Sequence, residues 1–229
     1  MDNEADQSGL IVIWNDIVPE SRDNFLEWHS REHIPERVSI PGFLRGQRWF
    51  GESAAPQYLT VYSTADTSVL TSSSYLARLN SPTPWTQRSV ADFRNTSRAA
   101  GHLVWSSSDV TGGVILTARF EIAPGRAPAL ARKWAGGPLP SLAQRLGIAR
   151  VRVMVSAASA SQLQTAERAV RSGDIKEPSL IVLVEGYGDD ESIQHAYNSV
   201  DLSGHDITGA KLDCYRLQFD LSSRQSVVQ

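Results

Sequence analysis

Apolar and polar positions along the chain follow two rhythms. Residues 9–17, GLIVIWNDI, are an apolar, β-branched run that suits a strand. From Ser21, placed as a helix N-cap, Phe25, Leu26, Ile34 and Val38 give a partly buried helical face, and Pro41-Gly42 stops it near Ser39. FLRGQRWF (43–50) and QYLTVYST (57–64) read as strands. Leu70, Tyr75, Leu76 and Leu79 mark a helix over 68–80, PTPW (82–85) reads as a stiff loop, and 99–106 as a strand. The order is β-α-β-β-α-β, the split βαβ or ferredoxin-like unit.

A turn-rich stretch, SSSDVTGG (106–113), then restarts the pattern. A strand over 113–122 is followed by a helix over 126–135, broken at Gly136-Gly137-Pro138 and resumed over 139–147. Strands over 149–156 and 179–187, a helix over 190–200 with an acidic first turn, and a strand over 211–221 complete it. Pro35, Gly42 and Arg45 recur as Pro140, Gly147 and Arg150 at one shared offset of 105 residues. A repeat of that period argues for two fused copies of one unit. The expected organisation is a disordered tail (1–8), a first unit (9–106), a linker (107–113), a second, degenerate unit (114–222) and a C-terminal tail (223–229). The fold class is α+β. Each unit leaves one sheet face bare, so two can close an eight-strand barrel, burial contributing about 25 cal/mol per Å² of apolar area. The expectation is a hollow between the sheets that His33 can reach.

Composition removes several classes of function. Net charge is −3 over 229 residues with the signs interspersed, so nucleic acid is not an expected partner. A lone cysteine, Cys214, cannot form an intrachain disulfide and reads as a packed thiol. The polar start lacks a signal pattern and no apolar run nears the roughly 20 residues of a membrane span, so a cytoplasmic protein is expected. No G-x-G-x-x-G, Walker or G-x-S-x-G sequence is present, and no cofactor is expected.

Candidate chemistry concentrates in WHSREH (28–33). His29, Glu32 and His33 satisfy H-x-x-E-H, an inverted zinc-protease pattern, yet a third ligand from another element is missing. Acid–base work is the broader reading, because imidazole, with a pKa of about 6.5, exchanges protons near neutrality. His29, His33 and Arg37 form one stripe at i+4 steps, and for His29 and Arg37 a solvated helix face is the expected placement. Tryptophan and tyrosine favour the first half. Trp28, Tyr58, Tyr62 and Trp85 are candidate walls for an aromatic ligand, and Arg45 and Arg48 candidate holders of an anionic group.

The stretch from Phe25 to Phe43, with His33, Pro35, Pro41, Gly42 and Phe43 in step, resembles the signature of EthD-like proteins of the dimeric α/β-barrel superfamily. That superfamily hosts oxygenases, dehydratases, decarboxylases and isomerases, and some relatives bind haem through a histidine. The resemblance implies one site per chain, because 103–194 contains no histidine. It implies a small apolar aromatic or polyketide-like substrate, with His33 as general acid or base, His29 or Glu32 as its partner, and a monomer or homodimer of fused barrels. A non-catalytic binding or accessory protein using the same cavity is the alternative, and a metal- or haem-dependent enzyme the third reading.

Overall fold

Strands buried on both faces, against the interior on one side and helices on the other, determine the architecture. The computed structural model describes residues 8–123, 125–157, 160, 166, 177–202 and 209–224. Among these residues are eight strands: β1 (Gly9–Ile17), β2 (Phe43–Phe50), β3 (Tyr58–Thr64), β4 (Phe93–Ser106), β5 (Val114–Phe120), β6 (Ile148–Ser156), β7 (Leu180–Gly186) and β8 (Lys211–Ser222). They close into one antiparallel barrel in the order β1-β3-β2-β8-β5-β7-β6-β4. Each half has the ferredoxin-like order, β4-β1-β3-β2 and then β8-β5-β7-β6. The halves are zipped by β2 to β8 and β4 to β6.

One face of every strand points into the barrel. Leu10, Val12 and Trp14, Trp49, Leu59 and Val61 from the first half meet Ile115, Met154, Ile181, Leu183 and Tyr215 from the second in one core. The hollow expected between the sheets is therefore filled. An eight-strand barrel is just wide enough for its own side chains, and three of these are tryptophan or tyrosine rings with no exposed surface. One end is plugged by charge. Glu185, fully buried, accepts from Arg150 Nε (2.9 Å) and Nη2 (2.6 Å), Arg152 Nη2 (2.7 Å) and the Gly112 amide (3.2 Å).

Helices cover the outer faces: α1 (Arg22–Trp28), α2 (Ile34–Val38), α3 (Ser73–Asn80) and α4 (Pro84–Ala91) in the first half, and α5 (Ala127–Ala135), α6 (Pro138–Ala143) and α7 (Asp190–Asn198) in the second. The predicted loop at PTPW instead starts α4. Thr83 caps it, its hydroxyl accepting from Thr86 N at 3.0 Å, and Pro84 sits at the first turn, where no N–H is needed. The helix expected over 68–80 is interrupted at Ser72, which caps α3 after a 3-10 turn over Thr67–Thr71. β4 begins at Phe93 rather than 99, since the polar stretch 93–98 still pairs with the end of β1. The resumed helix ends at Ala143, and Gly147 matches Gly42 in the turn before its strand, both at φ +88°. The expected tails, 1–8 and 223–229, fall almost wholly outside the described residues, Ser8, Ser223 and Arg224 excepted. Among the described residues no helix is long and apolar enough to cross a membrane.

Candidate active site

Between α1 and α2 the helix passes through a π-helical turn, His29–His33. Pro35 supplies the reason. It has no N–H to give back to the preceding turn, and its ring crowds the carbonyl four residues earlier, so the turn before it widens. The stripe of His29, His33 and Arg37 faces inward, at 3%, 4% and 3% exposure, which corrects the expectation of a solvated face for His29 and Arg37. It turns inward because the opposite side of the helix carries the charged, exposed residues Glu27 and Arg31, ion-paired at 2.6 Å.

The two imidazoles form part of a column of rings. Phe25 stacks on His29 at 4.9 Å between centroids, His29 on His33 at 5.3 Å with planes 18° apart, and Trp28 lies 4.4 Å from His33. Tyr58 meets Phe25 edge-on at 4.8 Å. Trp28 Nε1 donates to Thr86 Oγ1 at 3.2 Å, and Thr86 and Thr83 donate to Glu32 Oε1 at 3.1 and 2.5 Å. Glu32 thus binds the histidine-bearing turn to the start of α4.

Arg48 lies on the sheet beneath this helix. Its guanidinium donates to Ser30 Oγ (3.0 Å), the Leu26 carbonyl (3.3 Å) and Gln218 Oε1 (3.1 Å). Burial pulls its pKa down, and the neighbouring Tyr58 and Tyr62 phenols act in the other direction. Arg45, grouped with Arg48 from the sequence, is not brought to the histidines. Three residues along a strand reverse the face, so Arg45 points to the barrel end, where it binds Asp220 and Thr111. Trp85 is also set apart, wedged between α4 and α1 with its indole N–H on Asn24 Oδ1 at 2.8 Å. Tyr62 shares the helix-facing side of the sheet with Arg48 and packs beside Ile34 across Gly46.

Strand register makes the two halves directly comparable. In the first, Ile11, Ile13 and Asn15 of β1 oppose Tyr62, Thr60 and Tyr58 of β3, which in turn oppose Gly46, Arg48 and Phe50 of β2. In the second, Leu116, Ala118 and Phe120 of β5 oppose Val184, Val182 and Leu180 of β7, and Val151 and Val153 of β6 complete the set. Arg48 is matched by Val153, Thr60 by Val182, Tyr62 by Val184, Tyr58 by Leu180 and Asn15 by Phe120. The first helix–sheet layer holds buried polar groups where the second holds apolar core. Arg98 of β4, opposite Ile13, adds to the polar set and donates to the Ala160 carbonyl at 2.9 Å. The chain after β6 thereby reaches the first layer from the second half, with the Ala157 amide bonded to the Ala100 carbonyl at 2.9 Å. Sequence reasoning missed Thr60, Asn15 and Arg98. The signal available was a polar residue at each buried-face position of an otherwise apolar strand.

Stacked, near-parallel imidazoles direct their in-plane lone pairs along separate planes, a poor arrangement for one shared metal ion. Among the described residues no group of three or more His, Cys, Asp or Glu side chains could hold a metal. Nor do the described residues fit a porphyrin. The second layer is filled by Phe120, Trp134, Leu139, Leu142 and Tyr197 with no histidine in that core, and rings flank both histidines of the first. The layer instead brings two imidazoles, a guanidinium and two phenols together, groups whose chemistry suits holding an anion and moving a proton.

These features define a dimeric α/β-barrel fold with one polar layer between helix and sheet. Solved structures of the same fold include an anthrone oxidase-like protein, 12% identical, with a TM-score of 0.59 and coverage of 97% of this chain and 95% of the other. A candidate monooxygenase from Lactobacillus acidophilus is 8% identical at a TM-score of 0.59, covering 95% and 97%. A candidate chlorite dismutase is 11% identical at 0.52, covering 93% and 95%. No family model matches the chain, and no curated protein does either.

Proposed function

We propose that the chain is an enzyme that oxygenates a small phenolic, polyketide-like ring without a cofactor, at the polar layer between α1–α2 and the first sheet. The observation that carries this reading is the contrast between two register-matched layers. A protein that only packs would fill both with Val, Leu and Ala, because a buried polar group costs free energy unless it is hydrogen-bonded. Five such positions, including a guanidinium, persist on one side alone. The kinship of fold with an anthrone oxidase-like protein and a candidate monooxygenase supports oxygenation over the other proton-transfer reactions open to a histidine.

The chemistry begins at an activated methylene conjugated to a phenol. His33 removes a proton from that carbon, and the charge passes into the ring oxygen, held by the Arg48 guanidinium and the Tyr58 and Tyr62 hydroxyls. Oriented donors of this kind stabilise developing charge at low reorganisation cost. The carbanion gives its electron pair to dioxygen, forming a C–O bond, and the imidazolium returns its proton to the terminal oxygen to give a hydroperoxide. Loss of the second C–H proton to His33 then breaks the O–O bond, leaving a carbonyl and water. In balance, R₂CH₂ + O₂ gives R₂CO + H₂O. His29, stacked on His33, is the partner that fixes its ring plane, and Glu32 is a positioning residue for the turn.

Oxygen uptake with hydroxylated tricyclic methylene compounds tests the reading, with protein dialysed against a chelator. One O₂ is consumed per ketone formed, and His33→Gln lowers kcat by about 10²–10⁴ with unchanged unfolding temperature. Full activity in His33→Gln, or a requirement for added metal or haem, overturns it. Tight binding of the same compounds without uptake would favour a non-catalytic binding protein.

A further inference from the structure

We infer that the barrel end opposite the Glu185 plug carries a second binding site, for a small zwitterion of the amino-acid type. It goes beyond the proposed reaction and does not depend on it. A cleft of about 350 Å³ opens there, where the end of β1, the start of β4, the end of β5, the β2–β3 connection and the approach to β7 come together. Its volume falls within the range of small-molecule pockets.

Arg119, 8% exposed, lines this cleft from the barrel interior, its guanidinium 4.8 Å above the Trp14 ring. One edge of that guanidinium is taken by Asp213 and the Ala55 carbonyl, but its buried Nε–H has no acceptor among the described residues. Thr96, 4% exposed and also lining the cleft, has a buried hydroxyl with no partner among the described residues. Two side chains that line one cleft thus each keep a buried polar atom without a partner among the described residues, and such an atom forfeits a hydrogen bond unless a ligand atom supplies it. An N–H demands an acceptor, so a carboxylate suits the floor. Asn95 is the one described non-glycine residue at positive φ, +50°, and Asp16 holds it there, accepting from Asn95 Nδ2 at 2.8 Å and from the Gln57 amide at 2.8 Å. Strain of this kind persists where surroundings impose it and is common at binding sites.

Charge selects the ligand further. The cleft is lined by Arg119 and Lys211 but also by Asp16 and the exposed Glu121, with Asp213 against the guanidinium. A plain anion meets three carboxylates, and a plain cation meets two bases. A molecule carrying both charges, its carboxylate on Arg119 and Thr96 and its ammonium toward Glu121, satisfies both. The walls between, Ala55, Pro56 and Pro178, accept a short aliphatic side chain.

Isothermal titration of the full chain with glycine, L-alanine, L-serine and L-valine tests this, with acetate and ethanolamine as single-charge controls. At least one amino acid binds saturably with unit stoichiometry, and both controls bind about tenfold more weakly or worse. Thr96→Val and Glu121→Gln each weaken binding by about tenfold, as expected for loss of one hydrogen bond to a charged group. Neither variant removes a partner of another buried charge, so both fold. The inference is overturned if no amino acid gives saturable heat, if acetate binds as tightly as the amino acids, or if both variants bind like the wild type.

Discussion

Arg48→Met separates the catalytic from the structural role of the polar layer. The substitution removes three hydrogen bonds, to Ser30, Gln218 and the Leu26 carbonyl, at 3.0–3.3 Å. Each is worth about 0.5–1.5 kcal/mol net. None of the three partners is buried, so water replaces the guanidinium at each. Methionine keeps most of the packed stem, and the desolvation that lowers the Arg48 pKa disappears with the charge. The matched position in the other half is Val153, which shows that an apolar side chain fits this place in the sheet. The opposing contributions leave a stability change within about 2 kcal/mol, or roughly 4–8 °C in Tm for a chain of this size. Activity responds differently. A charge-assisted hydrogen bond to an oxyanion contributes about 1.5–3 kcal/mol, so kcat/KM falls by about 10- to 150-fold. Calorimetry and oxygen uptake on one preparation give both numbers. A stable Arg48→Met protein with wild-type kcat/KM would refute the assignment of Arg48 as the oxyanion holder.

Glu185→Gln strands the Arg150 and Arg152 cations inside the barrel and costs about 3–5 kcal/mol by denaturant titration, while a loss below 1 kcal/mol would mean that water already reaches the cluster. Gly147→Ala pays only for its left-handed backbone, about 1–2 kcal/mol, whereas Gly42→Ala costs more, because its new Cβ would stand 2.5 Å from Val69 Cγ2; equal losses in thermal denaturation would contradict this. Burial, with Asp190 and Asp213 adding to it, pushes the Cys214 thiol up to about 11, so alkylation at pH 8 is far slower than for free cysteine. The sign for stability follows, since the fold favours the neutral thiol. That contribution is whole below the ordinary value of 9.0 and fades as pH rises toward 11, and Cys214→Ser flattens the stability profile across that window.

Much of the site was legible because its signals are local. The His29–His33 spacing, the proline two residues on and the glycine of the following turn are short-range facts, and they pointed to the helix whose histidine stripe faces the sheet. The grouping of Arg45 with Arg48 failed on a local rule as well, since an odd separation along a strand divides the faces. Trp85 misled because α4 was read as a loop, which hid its place between two helices. Arg98 and the reach of Ala160 into the first layer had no local trace, because the contact spans 62 residues.

The sequence by itself determined the elements and their order, since periodicity, caps and turn residues act within a few positions. It also carried the recurrence of one strand and helix order in each half, because equal patterns dictate equal elements. Only the tertiary structure decided that the barrel interior is solid and that the histidine stripe turns inward. It alone showed that one helix–sheet layer is polar while its register-matched counterpart is not. Those outcomes depend on which faces meet across the barrel and beneath the helices, and burial is a property of such meetings rather than of any residue alone.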